Sequence, residues 1–90
     1  MNEKLIEKKL KEGVTRKGGL AIKIASPYFT GFPDRMVLMP AGKVFYVELK
    51  STGKRPTERQ EVVIGILEKM GFDLPIIDSE NSLQQFLKRI

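Results

Sequence analysis

The chain contains no cysteine and no histidine, and these two absences restrict its chemistry more than any other feature of its composition. Without cysteine it has no disulfides, no thiolate zinc site and no cysteine nucleophile. Without histidine it lacks the commonest general base and the commonest transition-metal ligand. Any catalysis would therefore depend on carboxylates, lysine, water and hard oxygen-binding cations such as Mg²⁺ or Mn²⁺.

Long apolar runs are also missing from the sequence. No stretch is long enough to span a bilayer and the N-terminus has no signal-peptide pattern, so we expect a cytoplasmic protein with no membrane partner. With 90 residues, of which 41% are hydrophobic and 30% charged, the chain is long enough for a single domain over residues 1–90. A domain of this size buries a modest core and gains stability by associating with a second copy.

The charge is unbalanced towards the basic side. The chain has 16 Lys and Arg against 11 Asp and Glu, which gives a net charge of +5 and a pI of about 9.6. A basic surface favours a polyanionic partner such as nucleic acid. Because many basic domains bind no nucleic acid, this hypothesis needs support from specific residues.

The apolar pattern predicts one α/β domain with the element order α β β β α β α. The first helix is expected over residues 1–17. The second is expected to begin at an N-cap, Thr57, with Gln60 as its capping-box partner, and to run to about Met70. The third is expected to begin at a cap, either Ser79 or Asn81, and to continue to residue 90. The strands are expected over residues 20–25, 36–39, 43–51 and 72–77. The last strand should pair parallel with the third, and Pro75 favours an edge position for it. The result is a small mixed sheet of about four strands flanked by helices.

The buried faces of the helices follow from the same pattern. Leu5, Ile6, Leu10 and Val14 should line the first helix, and both central strands are expected to be buried on both faces. The middle helix should pack on the core through Val62, Val63, Ile66, Leu67 and Met70.

Charged residues interrupt the third strand. Glu48 and Lys50 are two residues apart, so both project from one face, whereas Val47 and Leu49 project from the other. Burying such groups costs several kcal/mol unless they are paired or bind a metal. Asp34 lies at the head of the hairpin partner strand, directly after a proline. An ion pair of Glu48 with Lys50 on an exposed strand, and a simple turn role for Asp34, are the alternatives.

A glutamate of the first helix, Glu3 or Glu7, can join Asp34 and Glu48 to bind one or two divalent cations. Hydrolysis of a phosphodiester requires an activated water, neutralised charge on phosphorus and a stabilised leaving oxygen. A carboxylate-held Mg²⁺ supplies the first two, and an adjacent lysine orients the water or stabilises the anion.

The segments Pro33-Asp34 and Glu48-Leu49-Lys50 match the PD-(D/E)XK nuclease signature. The match extends over nearly the whole chain: a glutamate-bearing first helix, the segment GFPDR, the strand FYVELKS, a basic loop, Gln60 opening the next helix and Gly71-Phe72 before an apolar strand. In that order and spacing the chain resembles a stand-alone virus-type replication-repair nuclease (VRR-NUC) domain, which has a restriction-endonuclease-like core.

The resemblance implies a Mg²⁺- or Mn²⁺-dependent DNA endonuclease with Asp34, Glu48, Lys50 and Gln60 in its active site. It places an acidic residue early in the first helix, and Glu7 is preferred to Glu3 because it lies farther from a fraying terminus. Small members of the family look like Holliday-junction resolvases that cut four-way junctions as homodimers in DNA replication and repair, in bacteriophages or their hosts. Gln60 as a capping residue alone is an equal alternative.

The expected DNA contacts are basic residues near the site, namely Arg35, Lys54, Arg55 and Arg59. A solvated basic loop is the alternative. Tyr28 and Phe29 are expected to pack in the core, to join a dimer interface or to stack on exposed bases.

Two functions from other classes remain open. One is a non-catalytic basic nucleic-acid-binding module in which the carboxylates are structural. The other is an interaction domain that associates through an apolar edge strand around residues 74–77.

Overall fold

The computed structural model describes residues 1–90 and contains three helices and four strands. In chain order these are α1 (Glu3–Arg16), β1 (Leu20–Lys23), β2 (Arg35–Met39), β3 (Lys43–Leu49), α2 (Glu58–Lys69), β4 (Ile76–Ile77) and α3 (Glu80–Arg89). A 3₁₀ turn over Pro40–Gly42 joins β2 to β3. The predicted order α β β β α β α is confirmed. No helix has the length and apolar character needed to cross a bilayer.

The four strands form one mixed sheet in the order β1-β2-β3-β4. The first three are antiparallel neighbours, and β4 pairs parallel with β3 after the crossover through α2. The predicted last strand, residues 72–77, is shorter in the structure, where only Ile76 and Ile77 are strand residues. The backbone N–H of Glu48 nevertheless donates to the carbonyl of Pro75 at 3.1 Å, so β4 begins directly after the proline at the edge of the sheet.

Side-chain caps and glycines determine where the helices begin and end. Thr57 and Ser79 cap α2 and α3 with capping boxes. The capping box of Thr57 with Gln60 is the predicted one, and of the two caps that the sequence left open for α3, Ser79 and Asn81, Ser79 is the one observed. Gly18, at φ +84°, ends α1: its N–H donates to the carbonyl of Thr15, and the next N–H, that of Gly19, donates to Val14. This pair of hydrogen bonds is a Schellman motif, which needs a left-handed residue and therefore favours glycine.

The hydrophobic core lies on one face of the sheet, beneath α1 and α3. Leu5 is not part of it, because 41% of its surface is exposed. The first half of β3 also differs from the prediction, since Val44 is 49% exposed on a strand expected to be buried on both faces. The core cluster comprises Ile6, Leu10, Val14, Val37, Met39, Val47, Leu49, Ile77, Leu83, Phe86 and Leu87.

The middle helix, α2, packs on the other face of the sheet with a side that agrees only in part with the predicted one. Val63 and Ile64 are buried, whereas Val62, Ile66 and Met70 are 52%, 48% and 62% exposed. The prediction is therefore confirmed for Val63 and wrong for Val62, Ile66 and Met70. Because α2 is apolar on several sides, the spacing of its apolar residues does not identify the side that faces the sheet. The hydrogen bond from Gln60 to Glu48 helps to determine which side faces the sheet.

Gly19 lies so close to β2 that the structure predicts a cost for any side chain there. A Cβ on Gly19 would lie 2.7 Å from the carbonyl oxygen of Leu38 and would also meet the sulfur of Met39. Because a backbone carbonyl cannot move away cheaply, Gly19→Ala should lower the free energy of unfolding by about 1–3 kcal/mol, measured by urea denaturation.

Gly65 in α2 is the matched control for this substitution, since a Cβ there meets nothing within 4 Å. Gly65→Ala should raise the free energy of unfolding by about 0.5–1 kcal/mol, because alanine loses less backbone entropy in a helix. Equal effects of the two substitutions would contradict the close approach at Gly19.

Candidate functional site

Glu48 is the most unusual residue of the sheet, because it is a carboxylate with only 2% of its surface exposed. The alternation of β3 directs Val47 and Leu49 into the core and Glu48 towards α2 on the opposite face. Its Oε2 accepts a hydrogen bond of 2.9 Å from Nε2 of Gln60. The ammonium nitrogen of Lys50 lies 3.6 Å from the same oxygen. Glu48 and Lys50 are therefore paired in a largely buried position and not on an exposed strand.

Gln60 caps α2 and contacts Glu48 with different atoms of one side chain. Its Oε1 accepts a hydrogen bond of 2.8 Å from the N–H of Thr57, and its own N–H donates to the hydroxyl of Thr57. These bonds complete the capping box and leave Nε2 to reach Glu48. The two alternatives for Gln60 are thus both present in the structure.

Asp34 faces Glu48 across the antiparallel pair of β2 and β3. Arg35 pairs with Val47, so the same register carried one residue further sets Asp34 opposite Glu48. Directly opposite side chains in such a pair lie on one face with Cβ atoms about 4.5–5.5 Å apart. The backbone carbonyl of Asp34 accepts a hydrogen bond of 2.8 Å from the N–H of Ile24, which holds this position at the end of β2.

Arg35 holds one oxygen of Asp34 and leaves the other free. Its Nη1 lies 2.7 Å from Oδ2 of Asp34, and its Nη2 is paired with Glu7 of α1. Oδ1 of Asp34 is buried and has no hydrogen-bond partner. Arg35 itself is 4% exposed, so its guanidinium is enclosed by the protein. This differs from the DNA contact expected from the sequence, because a buried guanidinium paired with two carboxylates is not available to a phosphate.

The burial of Arg35, which was not predicted, has a signal in the sequence. Residues 35, 37 and 39 alternate onto one face of β2, and Val37 and Met39 are core residues. A charge in that series has to be paired, and the glutamates of the helix that covers the same face are its natural partners.

The two candidate glutamates of α1 occupy different surroundings. Glu7 is paired with Arg35, on the face of the sheet that α1 covers. Glu3 lies beyond the end of β3, where its backbone N–H donates to the hydroxyl of Ser51, and its charge raises the pKa of Glu48. Glu7 was the first choice from the sequence. The geometry instead favours Glu3 as the α1 carboxylate whose charge influences Glu48.

The pKa of Glu48 is raised from 4.5 to about 7. Burial is the largest cause, since it penalises the charged carboxylate, and the negative charge of Asp34 adds to it. Lys50 opposes the shift through its charge and its hydrogen bond, and this opposition is smaller than the combined effect of burial and Asp34. Lys50 therefore offsets only part of the cost of burying Glu48 opposite Asp34.

These surroundings fit a hard cation. Two facing carboxylates, one with a buried unpaired oxygen and one with a raised pKa, offer the oxygen ligands that Mg²⁺ and Mn²⁺ prefer. No group of three or more acidic side chains lies close enough to hold a metal ion. Asp34 and Glu48 are therefore the candidate ligands, and Glu3 and Glu7 lie outside a shared cluster with them.

The remaining predicted residues lie on the loop after β3, on α2 and on the loop between β1 and β2. Lys54 and Arg55 are exposed on the loop after β3. Arg59, also exposed, donates from Nε to the carbonyl of Thr30 at 3.0 Å. Tyr28 is 99% exposed, which excludes core packing for that residue.

The raised pKa of Glu48 predicts how stability depends on pH in the metal-free protein. The folded state favours the protonated carboxyl, so stability is full below about pH 4.5 and falls as the pH rises through about 7. Glu48→Gln, which imitates the protonated form, should equal the wild type in unfolding free energy near pH 4.5. By pH 8 the variant should be more stable by up to about 3 kcal/mol. Urea titrations in EDTA across this range measure the difference, and a constant difference would contradict the assignment.

Comparisons with known proteins agree with this fold. No family model matches the chain. A protein of Acyrthosiphon pisum secondary endosymbiont phage 1, named "Putative nuclease p44", is 38% identical over 81 residues, which cover 90% of this chain and 87% of that protein. A solved structure described as a VRR_NUC domain superposes with a TM-score of 0.87 at 25% identity, over 96% of this chain and 94% of the other. The chain therefore belongs to the VRR-NUC family of nucleases.

Proposed function

We propose that this nuclease is a Mg²⁺- or Mn²⁺-dependent endodeoxyribonuclease that cuts branched DNA, in particular four-way junctions, during replication or repair in the cytoplasm of a bacterial or phage-infected cell. The observation that carries the proposal is the buried Glu48 facing Asp34, with Lys50 and Gln60 on the same carboxylate oxygen. A carboxylate that is buried as Glu48 is, opposite a second carboxylate and with a raised pKa, is costly in a purely structural role, and such groups cluster at functional sites.

Each residue of the site has a separate task in this proposal. Asp34 and Glu48 would hold the cation, and Arg35 keeps Asp34 oriented by occupying its Oδ2. Gln60 fixes the side chain of Glu48 through its amide hydrogen bond. Lys50 directs its ammonium group to the same place, where it orients the attacking water or stabilises negative charge on the phosphate. A bound divalent cation supplies a Lewis acid and lowers the pKa of coordinated water.

The shape of the surface favours a polymeric substrate. The three surface cavities of the protein lie along α1, between α1 and α3, and beside α3, and none of them includes Asp34 or Glu48. Small molecules are usually bound in enclosed pockets. A carboxylate pair that lies outside every enclosed cavity, together with the exposed Lys54 and Arg55 of the loop that follows β3, suits a phosphate backbone, which those basic residues would position without reading its sequence.

A cleavage assay tests the proposal directly. Labelled four-way junctions and linear duplexes of equal length are incubated with Mg²⁺ or Mn²⁺ and with wild type, Asp34→Asn or Glu48→Gln. The wild type should cut the junction in preference to the duplex. Each variant should reduce the rate by at least roughly 100-fold, because each removes a charge that stabilises the reacting groups.

Glu80→Gln is the control, since Glu80 is an exposed carboxylate of α3 paired only with Lys9. It should cut as the wild type does. Cleavage that survives Asp34→Asn, or that does not need a divalent cation, would sink the proposal. Junction binding without any cleavage would support a non-catalytic binding module instead.

We include a homodimer in the proposal, because two strands of a junction require two sites. Support comes from the exposed side of α2, where Val62, Ile66 and Met70 follow one another at intervals of four residues. Such spacing produces one continuous apolar stripe along the helix. A two-fold dimer uses the same patch on both copies, so a stripe on one helix suits it. The alternative of association through residues 74–77 offers a smaller apolar surface, since Leu74 and Ile77 are 4% and 0% exposed and Ile76 alone, at 38%, is an exposed large apolar residue there.

A charge placed in the stripe tests this interface. Ile66→Glu should convert a dimer into a monomer in sedimentation equilibrium, because an unpaired carboxylate in an apolar contact costs several kcal/mol. Val44→Glu is the matched control, because Val44 is equally exposed, at 49%, but lies on β3 outside the stripe. A wild-type chain that is monomeric, or a dimer that tolerates Ile66→Glu, would refute the interface.

A further inference from the structure

The loop between β1 and β2 carries the most exposed large side chain of the protein. Tyr28 is 99% exposed, and it lies at the tip of a turn in which the N–H of Phe29 donates to the carbonyl of Ser26 at 3.2 Å. Pro27 occupies the second position of this four-residue turn, where its fixed φ favours the turn conformation. The turn therefore presents the phenol ring of Tyr28 to solvent from a defined backbone.

An aromatic series attaches this loop to the face of the sheet that bears the carboxylate pair. The rings of Phe29 and Phe32 meet edge to face at 5.8 Å, and Phe32 meets Tyr46 of β3 at 5.6 Å. Tyr46 and Glu48 are two residues apart on one strand, so they project from the same face. Tyr28 is therefore carried by a loop that packs beside the proposed active site.

Arg59 of α2 holds the same loop from the other side. Its Nε donates to the carbonyl of Thr30, and its guanidinium lies 6.0 Å from the centre of the Phe29 ring. Gly31, at φ +87°, approaches so closely that a Cβ there would lie 2.9 Å from the carbonyl oxygen of Arg59. The next residue, Gln60, contacts Glu48. One helix thus positions both the loop and the carboxylate.

The reach of Tyr28 limits where it can act. The backbone of residue 28 is six residues from Asp34, which corresponds to at most about 20 Å of extended chain. Successive base pairs of B-DNA are about 3.4 Å apart, so this distance spans at most roughly six base-pair steps from the scissile phosphate. A flat ring within that distance of the cut can reach a base near the scissile phosphate.

We infer that Tyr28 stacks on an unpaired or unstacked base near the branch point of the DNA, and that this contact selects branched over linear DNA. The inference rests on the proposed function for its nucleic-acid substrate. In a duplex both faces of each base are covered by neighbours, whereas a branch point exposes base faces. Aromatic rings bind such faces without regard to sequence. Stacking therefore gives a structural preference that phosphate contacts do not.

Binding measurements in EDTA test the contact without cleavage. Dissociation constants for a four-way junction and a linear duplex are compared for wild type, Tyr28→Ala, Tyr28→Leu and Tyr28→Phe. Loss of stacking should weaken junction binding by roughly 5- to 150-fold for Tyr28→Ala, with the duplex nearly unchanged. Tyr28→Phe keeps the flat ring and should bind both DNAs as the wild type does. Tyr28→Leu, apolar but not flat, should resemble Tyr28→Ala.

Abasic sites placed one at a time within six nucleotides of the branch point identify the base. At one position, removal of the base should weaken junction binding by the wild type but should not weaken binding by Tyr28→Ala any further. The reason is that removal of the base and removal of the tyrosine ring eliminate the same contact. Equal losses on junction and duplex, wild-type binding by Tyr28→Leu, or additive effects at every position would overturn the inference. So would a shift from dimer to monomer caused by Tyr28→Ala in sedimentation. If Glu48→Gln still cleaves, the proposed function fails, but the stacking result is read independently.

Discussion

The burial of Glu48 beside Asp34 is the constraint on which the rest of the site depends. A carboxylate removed from water and set opposite another carboxylate favours its protonated form, and its pKa rises to about 7. Lys50 and Gln60 both approach Oε2 and offset part of this cost. The sheet tolerates the pair because it is formed at the junction of β2, β3 and β4, where strand pairing on both sides of β3 holds the backbone of Glu48.

The two faces of the sheet have different roles. The face beneath α1 and α3 contains the apolar cluster that stabilises the fold, and the face beneath α2 contains Glu48 and the aromatic side chains of the β1–β2 loop. Arg35 connects the two. It belongs by alternation to the core face, where it pairs with Glu7, yet its guanidinium also reaches Asp34. The placement of Asp34 is thus tied to the packing of α1 on the opposite side of the sheet.

Local signals in the sequence were sufficient for the element order, the strand that carries Glu48, the parallel last strand and the capping residues Thr57 and Gln60. Each of these follows from spacing or turn chemistry within a few residues. The errors concern contacts between distant segments. The inner side of α2 and the burial of Arg35 depend on which elements meet, and pattern alone does not specify this for a helix that is apolar on several sides. The choice between Glu3 and Glu7 likewise depends on how α1 crosses the sheet.

Because Gln60 both caps α2 and contacts Glu48, it couples the order of the first turn of α2 to the position of the Glu48 carboxylate. Its backbone and Oε1 close the first turn of α2, and its Nε2 holds Glu48. The ends of helices fray at a low free-energy cost compared with global unfolding. When the first turn of α2 opens, the same event releases the carboxylate, so amide exchange at the start of this helix reports the fraction of molecules with an assembled site. Under the proposed function, catalytic competence follows a local equilibrium of one helical turn, and substitutions that alter only the N-terminus of α2 change it without altering any charged group.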